Sequence, residues 1–190
     1  MPTANLPFLA LLRGLNVGGQ NVISKADLIR CFEDLGYAGV RTYIQSGNVL
    51  FRSPETRVAE LTRAIETRLS ERLGQPVRAV VFPRARYRAA VRAAPAGWGR
   101  DDDRKHNALF TLRGVTPRRV VAQLPPPKPD IESLATGPGV IFWSISKEQE
   151  TRTTWMKLAA TPAYQQVTIR NHRTVFRLLE LFEEQDASLL

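Results

Sequence analysis

The chain is poor in the residues that build disulfides and metal centres. Cys31 is the only cysteine among 190 residues, which excludes an intramolecular disulfide and any cysteine-based metal cluster. Only two histidines occur, His106 and His172. They are distant in sequence and have no carboxylate at ligand spacing, so no metal site and no cofactor are expected. Long hydrophobic runs are also missing. The longest near the N-terminus, Phe8 to Leu12, is too short for a membrane span or a signal-peptide core. No lipidation or retention signal is seen. The expectation is a cytoplasmic protein without a membrane partner. Acidic residues are scarce, 18 against 27 lysines and arginines, a net charge of +9.

What is present is ordinary for a globular chain, 43% hydrophobic and 24% charged, at a length that suits one large domain or two small ones. Cys31 falls on the apolar stripe of an expected helix and reads as a buried small hydrophobe, not a reactive thiol. The positive charge is concentrated. Residues 78–119 hold ten arginines, one lysine and three aspartates, a net of +8. Such a field attracts phosphate-bearing partners, nucleic acid included. The competing reading is a solvated surface in an arginine-biased chain, since 22 of the 27 basic residues are arginine.

The first half has a regular pattern. Phe8 to Leu12 reads as a buried strand. Ser24 caps a helix carrying Leu28, Cys31, Phe32 and Leu35, with Asp27 completing a capping-box variant and Gly36 as the stop. Val40–Gln45 and Asn48–Arg52 are two strands joined through Ser46-Gly47. Ser53-Pro54-Glu55 opens a second helix with Val58, Leu61, Ile65, Leu69 and Leu73 inward and Gly74 at its end. Val77 to Phe82 is another strand. Strand, helix, strand, strand, helix, strand is the ferredoxin-like βαββαβ order. The fold class expected is therefore α+β, with a ferredoxin-like subdomain over residues 1–84. A second, smaller α+β subdomain over 85–190 would pack against it.

The second half is less regular. Residues 84–95 suggest an arginine-bearing helix with Tyr87 and Val91 inward, and Pro95 to Lys105 a loop in which Asp101-Asp102-Asp103 is solvated. Asn107–Leu112 reads as a strand, Thr116-Pro117 as the cap of a short helix, and Pro125 to Pro129 as a rigid linker. Ile131–Ala135 and Val140–Ile145 can pair across Gly137-Pro138-Gly139. A helix is expected over Thr153 to Ala160, and a last one from Asn171 that buries Val175 and Phe182. No sequence repeat links the halves.

Three strings concentrate amide, guanidinium, hydroxyl and glycine beside apolar runs: Leu12 to Gly19, Tyr43 to Val49, and Thr168 to Val175. The βαββαβ order brings the end of the first strand, at Arg13, to the start of the third, at Asn48, so the first two strings should meet. Gly18-Gly19 lies between a strand and a helix, where backbone N–H groups can cradle phosphate, although the spacing is neither a dinucleotide fingerprint nor a Walker loop. A plain turn competes with that reading. Arg170 and Arg173 flank the start of the last helix, where an anion is favoured. Asn171 is best placed to cap that helix. His172 is the residue type for a general base, yet no orienting carboxylate is evident in the sequence. Nucleophilic catalysis finds no support, because no Gly-x-Ser-x-Gly elbow surrounds Ser46. The aromatic platform of an RNA-recognition domain is missing from the first and third strands.

Through these strings the chain resembles a bacterial family known as domain of unknown function 1697. Its members show Leu-Arg-Gly-x-Asn-Val-Gly-Gly, matched by Leu12 to Gly19; Tyr-x-Gln-Ser-Gly-Asn-Val, matched by Tyr43 to Val49; and Thr-x-Arg-Asn-x-x-Thr-Val, matched by Thr168 to Val175. The resemblance implies two ferredoxin-like or related subdomains and supplies no activity. Members often carry tryptophan where this chain has His172, which argues against a shared catalytic base there. They often carry a basic residue where this chain has Gln20, which weakens a phosphate role for the glycine loop.

Three functional readings compete. In the first, a small anionic ligand such as a nucleotide lies in a cleft between the halves. Arg13, Asn16, Gly18, Gly19, Gln45, Ser46 and Asn48 form one wall, and Arg170, Asn171, Arg173 and Thr174 the other. In the second, segment 78–119 binds nucleic acid without sequence preference. In the third, the strings are a buried polar network and the protein serves protein interaction. No residue compels an enzyme, no catalytic group is assigned, and the oligomeric state is not set by the sequence.

Overall fold

The computed structural model describes residues 5–15, 23–44 and 47–187, with side chains described as far as Glu184. Strand β1 (Leu6–Arg13) is the buried apolar run, and helix α1 (Lys25–Glu33) follows it. Ser24 Oγ accepts the Asp27 backbone N–H at 3.0 Å and donates its own hydroxyl to the Asp27 carboxylate at 2.8 Å. Asp27 holds the capping-box position but accepts the Ser24 hydroxyl rather than the Ser24 backbone N–H. Strands β2 (Ala38–Tyr43) and β3 (Asn48–Ser53) pair antiparallel, and helix α2 (Val58–Leu73) leads to β4 (Arg78–Pro83). The sheet order β2-β3-β1-β4 is that of the ferredoxin-like fold, with β1 central between β3 and β4. One face of it carries a stacked and edge-on aromatic group, Phe8, Phe32, Tyr37 and Phe51.

Helix α2 begins later than its sequence suggests. Ser53 stays in the strand ladder opposite Leu6 and is buried, and its Oγ accepts the Glu55 N–H at 3.1 Å. The Glu55 carboxylate accepts the Arg57 N–H at 2.7 Å. These local bonds make a turn of the Ser-Pro-Glu segment before the helix forms.

Helix α3 (Arg84–Arg92) precedes a second sheet built from β5 (Arg104–Thr111), β6 (Glu132–Gly137), β7 (Val140–Ser146) and β8 (Val167–Asn171). Helix α4 (Pro117–Val121) lies between β5 and β6, and α5 (His172–Ala187) follows β8. The order β6-β7-β5-β8 repeats that of the first sheet, with β5 in the place of β1 and β8 in the place of β4. Where the first half has α2, the second has three short 3-10 turns, Glu150–Arg152, Thr154–Ala160 and Pro162–Gln166. The regular helix expected over 153–160 does not form. Thr153 Oγ1 donates to the Glu150 carbonyl and Thr161 Oγ1 to the Leu158 carbonyl at 2.7 Å. Thr154 gives both its backbone N–H and its hydroxyl to the Glu132 carboxylate, at 2.9 and 2.8 Å. Threonines engaged this way tighten the backbone into i to i+3 turns.

The chain divides into two compact units, residues up to Tyr87 with those from Glu180 onward, and Arg88–Leu179. In the second unit the two sheet faces differ. Leu109, Ile141, Trp143, Ile145 and Val167 point to one side and join Val120, Leu158 and Ala163 in a hydrophobic core. The alternate residues of β5 and β7, among them His106, Ala108, Phe142 and Ser144, occupy the other side.

Candidate functional site

The polar end of that second face holds a hydrogen-bonded chain of three side chains. His106 and Ser144 stand opposite each other on β5 and β7. His106 Nδ1 lies 2.8 Å from Ser144 Oγ, and both residues are buried. Its other nitrogen, Nε2, lies 3.0 Å from Oδ1 of Asp101, which is half exposed on the preceding loop. A carboxylate only accepts, so it is Nε2–H that donates to Asp101. In the singly protonated ring Nδ1 is then the acceptor of the Ser144 hydroxyl proton. The three aspartates of this loop are exposed, as expected, and Asp101 is in addition tied to the sheet through His106.

Trp98 fixes the rings around this chain. It is buried and meets His106, Phe142, His172 and Phe176 edge-on, with centroids 5.0 to 6.2 Å apart. The loop passes close to α5 at Gly99, whose φ is +80°. A Cβ there would fall 2.9 Å from Phe176 and 3.1 Å from His172, so only glycine fits.

The pairing of Asn107 with Asn171 carries His172 to within 5.5 Å of His106, ring centre to ring centre. The two histidines are therefore spatial neighbours, contrary to what their separation in sequence suggests. Burial pushes the His172 imidazole below its usual pKa. The His106, Arg173 and Lys147 charges add to the fall, and a bond to the His106 backbone opposes it. His172 Nδ1 is buried without a hydrogen-bond partner among the described residues. Among the described residues no group of three or more histidine, cysteine or carboxylate side chains is placed to hold a metal ion.

Two pockets flank the relay and share Asp101, Arg104 and His106. One, of about 450 Å³, reaches Ser144 and has walls from Trp98, Leu134, Phe142 and Pro95. The other, of about 260 Å³, is lined by Arg104, Lys105, Lys147, Asn171, His172 and Arg173 together with Asp101 and Asp102. Lys105 is paired with Glu150, and Lys147 donates to the Asp102 carbonyl. Arg104 and Arg173 have no ion-pair partner among the described residues.

The residues singled out from sequence fall in separate places. Asn16, Gly18, Gly19, Gln45 and Ser46 lie outside the described residues. In the first unit the strings around Arg13 and Asn48 do meet, where the Leu12 N–H donates to the Gly47 carbonyl at 2.8 Å. Arg13 is half-buried at the end of β1, opposite Arg78. Asn48 is fully buried, and its Nδ2 donates to the Tyr43 carbonyl at 3.0 Å. In the second unit Arg170 is buried, its guanidinium donating to Thr168 Oγ1 at 2.9 Å and to the Ile169 carbonyl at 2.7 Å. Asn171 Oδ1 accepts the N–H of buried Thr174 at 2.9 Å, the cap bond its position suggests. Arg173 and Asn171 line the smaller pocket. The basic residues of 78–119 are spread over β4, α3, β5, α4 and the segments between them, and Arg78 is paired with Glu66.

A family model described as a protein of unknown function (DUF1697) matches residues 7–142. The chain belongs to this family. The family's α/β architecture is also seen in the conserved bacterial protein SP0830 from Streptococcus pneumoniae, whose solved structure is similar. The identity is 31%, the TM-score is 0.81, and the match covers 94% of this chain and 99% of that one. No curated protein matches the chain. No helix among the described residues is long and apolar enough to cross a membrane.

Proposed function

We propose that the second unit binds a small anion, a phosphate or phosphorylated compound, in the pocket at the start of α5. The observation that carries this reading is the lining: four cationic side chains, Arg104, Lys105, Lys147 and Arg173, and two histidines converge on about 260 Å³. Three of the four, Arg104, Lys147 and Arg173, have no carboxylate ion-pair partner among the described residues, and only Lys105 is paired with one, Glu150. The first turn of α5 adds the positive end of its dipole at the same place. Arg173 is the side chain to test, because it is exposed and lines the pocket, whereas Arg170 is buried in bonds to its own strand.

The test is calorimetric titration with inorganic phosphate, sulfate and nucleoside monophosphates, on wild type and on the double variant Arg104→Ala, Arg173→Ala. Saturable binding that weakens about tenfold or more in the variant supports the reading. Absence of saturable heat with every anion, or equal affinity in the variant, removes it.

A further inference from the structure

We propose that Ser144 is a catalytic nucleophile for hydrolysis of short carboxylic esters, with His106 as its general base and Asp101 as the residue that positions His106. This goes beyond anion binding and does not depend on it. The geometry is that of an activated serine. A nucleophile and its base are joined at 2.8 Å, and base and carboxylate at 3.0 Å, within the range such pairs require. The tautomer is also the productive one. With Nε2–H held by Asp101, the lone pair of Nδ1 faces the Ser144 hydroxyl.

The surroundings fit an ester. Ser144 and His106 open on the pocket of about 450 Å³, whose walls include Trp98, Leu134, Phe142 and Pro95, an apolar seat for a short acyl group. Arg104 lies two residues before His106, hence on the same face of β5, and lines that pocket too. Its guanidinium is the cation available to the negative charge that develops on a carbonyl oxygen. The relay is rigid: Trp98 packs its edge on the His106 ring, and β5 and β7 hold the two side chains in register.

The reaction balances with water as the only co-reactant. Ser144 Oγ forms a bond to the ester carbonyl carbon while its proton passes to His106 Nδ1. The bond from that carbon to the leaving alkoxide then breaks, and His106 returns the proton to give the alcohol. Water adds to the acyl-serine with its proton taken by Nδ1. The bond to Oγ breaks, releasing the carboxylic acid and restoring the Ser144 hydroxyl.

The experiment is labelling of the full chain with a fluorophosphonate, with the adduct located by peptide mass spectrometry, alongside hydrolysis of p-nitrophenyl acetate. One adduct on Ser144, an initial burst of nitrophenolate, and loss of both in Ser144→Ala are expected. Thermal melting checks that Ser144→Ala is folded. Because Asp101 is on the surface, Asp101→Asn tests the relay without disturbing the sheet. It should lower kcat by about 10²-fold or more with KM little changed, since an amide can donate to Nε2 and reverse the tautomer. Folded wild type that takes no label, an adduct elsewhere, or labelling and hydrolysis unchanged in Ser144→Ala overturns it.

Discussion

His106 and Ser144 face each other across neighbouring strands, and their side chains are joined at 2.8 Å. A cross-strand pair of this kind is fixed by sheet register, and a one-residue slip would send both side chains to the opposite face. The carboxylate of Asp101 at 3.0 Å selects the state of the ring. Nitrogen NMR of His106 in the neutral state should therefore report a protonated Nε2 and an unprotonated Nδ1. Asp101→Ala should give a mixture of the two tautomers. A protonated Nδ1 in the wild type would contradict the arrangement.

The His172 imidazole is held below its usual pKa, chiefly by burial, and the neutral form is the one the fold favours. The unfolded chain takes up the proton first, so this group's contribution is intact above the ordinary histidine range. It is lost as pH falls through the folded value. An anion in the adjoining pocket stabilises the charged ring against His106, Arg173 and Lys147, which oppose it. Sulfate, which does not itself titrate in this range, should bind more tightly as pH is lowered from about 8 to about 5.5. In His172→Phe that dependence should flatten, as isothermal titration at both values would show.

Glu132 is buried and accepts four bonds, from the backbone N–H groups of Lys128 and Thr154, the Thr154 hydroxyl and the Trp143 indole at 3.1 Å. Burial pushes its carboxyl up, and those four donors outweigh burial and hold it below the usual carboxylate value. The stability it adds is present above the ordinary carboxylate range and lost as pH falls through the lowered value. Glu132→Ala should cost about 2–4 kcal/mol at neutral pH, because several buried donors lose their acceptor together. Denaturant unfolding followed by tryptophan fluorescence measures it, and a cost below about 1 kcal/mol would contradict the network.

Gly47 has φ +72°, and a Cβ on it would lie 2.8 Å from the Leu12 Cβ. Its carbonyl accepts the Leu12 N–H, so the turn cannot back away without breaking a bond between the first two strings. Gly47→Ala should destabilise the first unit by about 2–3 kcal/mol. A melting temperature within a degree of wild type would show that the turn relaxes freely.

Much of the first unit was legible because its signals are local. Apolar periodicity marks α1 and α2, Ser24 and Gly74 mark helix ends, and βαββαβ order follows from adjacent elements. The second unit was legible only in part. Strand β8 is a short Val-Thr-Ile-Arg-Asn segment next to the last helix, and its pairing with β5 is what makes it part of the sheet. The residues that replace α2 turn as 3-10 because Glu132, distant in sequence, claims Thr154. The site was missed for the same reason. His106 borders a polar loop and Ser144 lies in an apolar strand, and neither carries a motif.

The sequence by itself determined the family, through three strings, the α+β composition of both halves and the concentration of positive charge in 78–119. Each of these is a property of neighbouring residues: spacing, turn chemistry and composition. Only the tertiary structure decided that the second sheet repeats the order of the first. It also placed Asp101, His106, Ser144 and His172 at one end of that sheet's face. Strand pairing is the physical reason. It joins residues tens of positions apart by backbone hydrogen bonds that any side chain can accompany, so linear spacing leaves no trace of which side chains will meet.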